Sequence, residues 1–220
     1  MRAAAEVVSR VFAGDGLLYV FGSGHSHMFA EEAFYRAGGP IQICPMLSPP
    51  HMLHEGAVRS TVLERTSGEA QALYERYAPD ASTDALLVVS NSGVNALPTE
   101  LAARATEDGL PLLAITSVAY ASSIDRAGPR LHDLADVVID NHAPPGDALV
   151  ELAKDLPPAG PGSTVIGLAI LNAILLEAAE IGLLEHGRAE VLLSANMPGA
   201  AEHNRELVAR YRHRIPQLDP

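Results

Sequence analysis

Five short apolar runs, spaced by longer segments of helical pattern, constrain the fold of this 220-residue chain more than any other feature. They are Leu17 to Phe21 (LLYVF), Pro40 to Cys44, Ala85 to Val89 (ALLVV), Leu112 to Thr116 (LLAIT) and Val137 to Asp140 (VVID). None alternates apolar with polar residues. Strands apolar on both faces are strands covered by helices on both sides, as in a parallel sheet. Helical segments are expected at Ser26 to Ala37, about Val58 to Tyr77, Pro98 to Asp108 and Thr164 to Leu184. Gly38-Gly39-Pro40 and Gly109-Leu110-Pro111 end two of them, because glycine closes a helix and proline cannot continue it. The pattern predicts an α/β fold: a three-layer α/β/α sandwich around a five-stranded parallel sheet of flavodoxin-like order. Asp155 to Gly162 (DLPPAGPG) reads as a loop before the closing helix, since too little chain follows to build a second core. One domain over 1–220 is expected, its core at about 17–187. A helical tail at 188–220 would carry Arg205, Arg210, Arg212 and Arg214 on its polar side.

Composition excludes several classes of function. A net charge of -12, with the 14 arginines and one lysine scattered along the chain, offers no basic face for nucleic acid. The single cysteine, Cys44, excludes a disulfide framework and a paired-cysteine zinc site. No run of roughly 18 uninterrupted apolar residues suggests a membrane-crossing helix. Glu6 and Asp15 interrupt the first 16 residues, which lack the apolar core of a secretory signal. A soluble, cytoplasmic protein is the expectation.

Two loops carry candidate chemistry. Gly22-Ser23-Gly24-His25-Ser26 follows the first strand, and Ser90-Asn91-Ser92-Gly93-Val94-Asn95 follows the third; each leads into a helix. In a flavodoxin-like order these strands are neighbours whose connections leave in opposite directions, so both loops converge on the crevice where such folds bind ligands. Glycines let backbone N–H groups approach closely, helix N-termini carry partial positive charge, and Ser and Asn add donors without bulk. Such a crevice suits an anion. The absence of Lys and Arg from both loops suits a phosphate monoester on a small neutral body. The competing reading is that these Ser and Asn residues merely cap two helices. A dinucleotide is disfavoured: His27 stands where GxGxxG needs its third glycine, Ile43-Cys44-Pro45 supplies no acid for a ribose, and no GxxxxGK[ST] occurs.

These residues resemble a known family. SNSGVN is similar to the S-x-S-G-x-[ST] phosphate signature of the SIS (sugar isomerase) domain, and GSGHS to that domain's first Gly/Ser loop. The likeness runs from about Leu17 to Gly187. It takes in PGST at 161–164, and Leu175-Leu176-Glu177 resembles the L-K-E of glucosamine-6-phosphate synthase's isomerase domain. AEEAFYRAGG, HEGAV and IDNHAPPGDA are similar to a bacterial single-domain group described as phosphoheptose-isomerase-like or phosphosugar-binding. The resemblance implies a dimer, or a tetramer, with sites near the subunit interface. It implies that Ser26, Ser90, Ser92 and Asn95 surround a sugar phosphate, with the Asn91 amide contributing. Gly22, Ser23, His25, Gly93, Ser163 and Thr164 complete the binding set. Asn95 departs from the family's usual Thr or Ser. Arg36 stands where phosphoheptose isomerases and etherases place a glutamate, ten residues after the first-loop serine.

Aldose–ketose isomerisation needs a base to move a proton between adjacent carbons and an acid to open the ring. The resemblance favours Glu177 as base and His186 as a ring-opening group reaching across a dimer. His54 and Glu55 follow the second strand and are candidates for acid and base, and Glu64 is placed like an etherase glutamate. Each has a plain alternative as an exposed helix residue. His51-x-x-His54-Glu55 matches neither zincin order and no third ligand is identifiable, so neither metal nor organic cofactor is expected. The reading is a phosphosugar isomerase or etherase-like lyase. Its alternative is a non-catalytic phosphosugar sensor, against which the lack of a helix-turn-helix extension counts modestly.

Overall fold

The computed structural model describes residues 1–218. Five parallel strands form one sheet in the order β2-β1-β3-β4-β5: β1 (Leu18–Gly22), β2 (Ile43–Pro45), β3 (Ala85–Val89), β4 (Leu112–Thr116) and β5 (Val137–Asp140). The fold class and the flavodoxin-like order read from the apolar runs are therefore the observed ones. The second strand starts three residues later than expected and ends one later. Gly38 to Ile41 instead pair with 190–192 through Gly38 N to Leu192 O (2.8 Å) and Ile41 N to Glu190 O (3.0 Å). β2 and β5 are the sheet's edges, and Val138 of β5 is exposed.

Helices cover both faces. Leu18, Val20, Ile43, Leu87, Val89 and Ile115 face α1 (Arg2–Ala13), α2 (Met28–Ala33) and α8 (Ser163–His186). Tyr19, Phe21, Cys44, Leu86, Val88 and Leu112 face α4 (Glu69–Tyr77), α5 (Ala96–Glu107), α7 (Leu131–Leu134) and α9 (Ala200–Tyr211). Alternate residues of the inner strands thus enter opposite cores, which is why these strands are apolar on both faces.

Three expected elements differ. The helix expected over about 58–77 is two, α3 (Ala57–Leu63) and α4, because Arg65 N and Thr66 N bond to carbonyls only three residues back and Gly68 takes φ +96°. The helix expected from Ser26 begins as a 3₁₀ turn at Gly24–His27 and ends at Ala33. The tail helix stops at Tyr211, so Arg214 is no polar-face residue. It reaches inward to both oxygens of buried Asp84, each at 2.7 Å, while Asp84 also accepts from Leu17 N (2.9 Å). Short α6 (Val118–Ser123) and α7 were not foreseen.

The expectation that no segment suits a membrane needs correction for α8. Its 24 residues, with a window of mean hydropathy 1.8, are long and apolar enough to cross one by length and composition. In the fold it lays Gly167, Leu171, Ile174, Leu175, Ala178 and Ile181 on the core, at the spacing of one helical stripe.

Candidate functional site

The site begins with backbone geometry. Gly22 of β1 sits opposite Val89 of β3, so the two chains leave the sheet side by side. The first loop then folds back on itself: Ser26 N donates to Ser23 O (3.0 Å), and a Cβ on Gly22 would lie 2.2 Å from the Ser26 carbonyl oxygen. In the second loop Gly93 takes φ +61° and donates its N–H to Ser90 Oγ (3.2 Å). Only glycine fits either place. Between the loops and the start of α8 lies a crevice of about 420 Å³.

The structure brings most of the expected binding set to that crevice. Ser23, His25 and Ser26 line it from the first loop, Ser90, Asn91, Ser92 and Asn95 from the second, and Ser163 and Thr164 from α8. Gly22 and Gly93 shape the loops from beneath. The capping alternative accounts for little of this. Asn95, at the N-cap of α5, makes no side-chain cap bond, and neither does Ser23 at the 3₁₀ turn. Their side chains turn to Glu64 instead: Ser23 Oγ donates to its Oε2 (2.9 Å) and Asn95 Nδ2 to its Oε1 (3.0 Å). Glu64 lines the crevice with a side chain only 14% exposed. It follows the last turn of α3, where the break in the expected long helix turns it toward the loops.

Two further polar groups are defined by their partners. Asn91 Oδ1 accepts from Asn141 Nδ2 (3.0 Å), which orients the amide, while its buried Nδ2 has no acceptor among the described residues. The N-terminus of α8 already holds a carboxylate: Asp147 accepts from Ser163 N (2.9 Å), from Gly162 N (3.2 Å) and from Ser163 Oγ. Ser163 is thereby engaged, and Asp147 itself lines the crevice.

Other candidates lie outside this crevice in their own chain. Glu177 is on α8, 14 residues beyond Ser163 and so about 21 Å along the helix; it faces Arg2 Nη1 at 3.4 Å. His186 ends the same helix. His54 and Glu55 sit in an exposed 3₁₀ turn (Leu53–Glu55), with the His54 ring 5.8 Å from that of His27. Arg36 pairs with Glu32, one turn behind it. No group of three or more His, Cys, Asp or Glu among the described residues is placed to hold a metal ion.

Sequence reasoning missed Arg65, Tyr120 and Asp147, all of which line the crevice. Arg65 lay inside a helix read as continuous, where an arginine looks like a solvated face. A larger opening of about 790 Å³ lies at the opposite ends of the strands, among Tyr19, Tyr77, Arg188 and Arg214. Its arginines are spent on Asp15, Glu190 and Asp84. Burial pushes the Cys44 thiol up to about 12, which makes it an inert core residue.

A doubly wound sheet with two Gly/Ser loops meeting at its switch point defines an α/β ligand-binding domain. A family model described as "SIS domain" matches residues 1–117, and the chain belongs to that family. Over 218 residues it is 49% identical to a UPF0309 protein of Brucella anthropi and 48% to one of Brucella canis, covering 99% of this chain and 89% of each relative. Among solved structures, phosphoheptose isomerase GmhA from Neisseria gonorrhoeae is 19% identical at a TM-score of 0.46, over 81% of this chain and 83% of that one. A protein of E. coli CFT073 in complex with A5P is 15% identical at 0.43, over 84% and 83%.

Proposed function

We propose that the crevice binds the phosphate of a phosphosugar and that the chain is an aldose–ketose isomerase acting without an organic cofactor. The observation that carries this reading is the use made of the loops' polar side chains. Asn95 and Ser23 hold a carboxylate instead of capping helices, and Asn91 has a buried amide donor with no acceptor among the described residues. Ser26, Ser90, Ser92 and Asn91 then serve the phosphate. Glu64, held by Ser23, Asn95 and Arg65, is the base: it removes the proton at C2 of the open-chain aldose to leave an enediolate, the O2 hydroxyl proton passes to O1, and Glu64 delivers its proton to C1 to give the ketose. His25, on the rim, is suited to handing the ring oxygen its proton. Of the candidate bases, Glu64 has the support of placement; Glu177, and His186 as ring-opening group, would act only from a second copy.

A homodimer accompanies this proposal. Val165, Ile166, Leu176, Leu183 and Leu184 are exposed on the outer face of α8, with Asn172 and Glu180 among them, and that much exposed apolar surface calls for cover.

The test is a thermal-shift screen of sugar phosphates against their free sugars and inorganic phosphate, followed by an isomerisation assay of any hit. A ligand at about 100 times its Kd adds about 2.7 kcal/mol, or roughly 5–10 °C for a chain of this size. The Ser90→Ala, Ser92→Ala double variant is expected to lose the shift while staying folded. An unchanged shift in that variant sinks the reading.

A further inference from the structure

Arg65 is the only lysine or arginine lining the crevice among the described residues. Its Nη1 donates to Glu64 Oε1 at 2.7 Å and to the Thr61 carbonyl, and its side chain is 55% exposed. Glu64 Oε1 therefore receives two donors, Arg65 and Asn95, while Oε2 receives Ser23. A carboxylate oxygen offers about two lone-pair positions. With both taken on Oε1, that oxygen has no room for a proton from a substrate.

The three donors differ in mobility. Ser23 is buried in a loop folded onto Gly22, and Asn95 is half-buried at the start of α5. Arg65 is a long, half-exposed side chain beyond the end of α3. It is the donor that can leave. A phosphate monoester offers more negative charge than a carboxylate and a geometry that a guanidinium fork matches with two hydrogen bonds.

We propose that Arg65 is a two-position side chain, paired with Glu64 when no anion is present and turned onto the anionic group of an arriving sugar phosphate, so that the ligand's charge uncovers Oε1 of the base. This rests on the phosphosugar reading and adds a consequence to it. A neutral sugar of the same shape leaves Arg65 on Glu64, so the crevice discriminates by charge in activation as well as in affinity.

Inorganic phosphate is the probe, with affinities measured by calorimetry on the full chain for the wild type, Arg65→Gln, Glu64→Gln and the double variant. Arg65→Gln should weaken phosphate roughly 10- to 100-fold, the worth of a hydrogen bond to a charged group. Glu64→Gln should tighten it, because phosphate no longer competes for Arg65. That gain should shrink in the Arg65→Gln background. A gain of equal size in both backgrounds would mean simple repulsion by Glu64, and overturns the proposal.

A second measurement needs no variant fold beyond assignment. The Arg65 Nε resonance, identified by its loss in Arg65→Lys, should move saturably as phosphate is added to wild type. A resonance unmoved at saturation also overturns the proposal. The failures are separable: Arg65→Gln binding as tightly as wild type, while the Ser90→Ala, Ser92→Ala variant loses binding, removes Arg65's role and leaves the site standing. A wild type that binds neither phosphate nor any sugar phosphate removes both.

Discussion

Asn95 shows how one residue changes the meaning of a motif. Where the family's signature has Ser or Thr, the Asn95 amide donates to Glu64 at 3.0 Å and ties the second loop to the end of α3. A second residue, His51, predicts how stability responds to pH. It is 3% exposed, its Nδ1 lies 2.8 Å from Ser48 Oγ, and its Nε2 has no partner among the described residues. Burial holds its pKa below the usual 6.5, with weaker opposing contributions from Glu69 and Glu64. The unfolded chain then takes up a proton near pH 6.5 and the folded chain only at lower pH. The stabilisation is complete above pH 6.5 and is lost progressively as the pH falls below it. Denaturant titrations of wild type and His51→Gln at pH 7.5, 6.5 and 5.5 should show the gap between them narrowing with acid. A constant gap would mean His51 does not titrate differently on folding.

At the scale of elements, what was legible and what was not divides by range. Ala85–Val89, Leu112–Thr116 and Val137–Asp140 are strands residue for residue as expected, because an unbroken apolar run bounded by polar turns has few other uses. The second strand slipped because Pro40 and Ile41 are also apolar and buried, yet are claimed by the tail segment at 190–192. The break between α3 and α4 slipped because Thr66-Ser67-Gly68 is a weak punctuation, decided by packing. The first loop gives the element-scale prediction. Gly22→Ala drives a Cβ into the backbone of Ser26, and neither strand nor loop can yield cheaply. The variant should lose about 3 kcal/mol or more, read from its urea midpoint, and should also lose the phosphate shift. A Gly22→Ala protein as stable as wild type would mean the loop has another conformation close in energy.

The whole molecule turns on α8, which is too apolar for its position in a monomer. Its inner stripe closes one core, and Leu176, Leu183 and Leu184 are 73%, 59% and 77% exposed on the other side. Light scattering at micromolar concentration should give the mass of a dimer or higher oligomer, and Leu176→Asp with Leu183→Asp should reduce it to a 23.2 kDa monomer. If the wild type is monomeric, this face has another partner or none, and Glu177 and His186 lose their route to a site. The Arg214–Asp84 pair ties the tail to the ends of β1 and β3, a contact no local pattern announces.

Sequence alone determined the class of fold and the donor-rich character of the crevice. Both rest on local facts: runs apolar on two faces demand helices on two faces, and Gly/Ser loops after neighbouring strands demand a crevice rich in donors. The tertiary structure alone decided which side chains meet there. Glu64 stood among the candidates as an isolated glutamate, and Arg65 was not among them. Where α3 stops determines whether they face solvent or the crevice. That stopping point follows from packing between segments distant in the chain, where reach and direction count and residue type no longer predicts them.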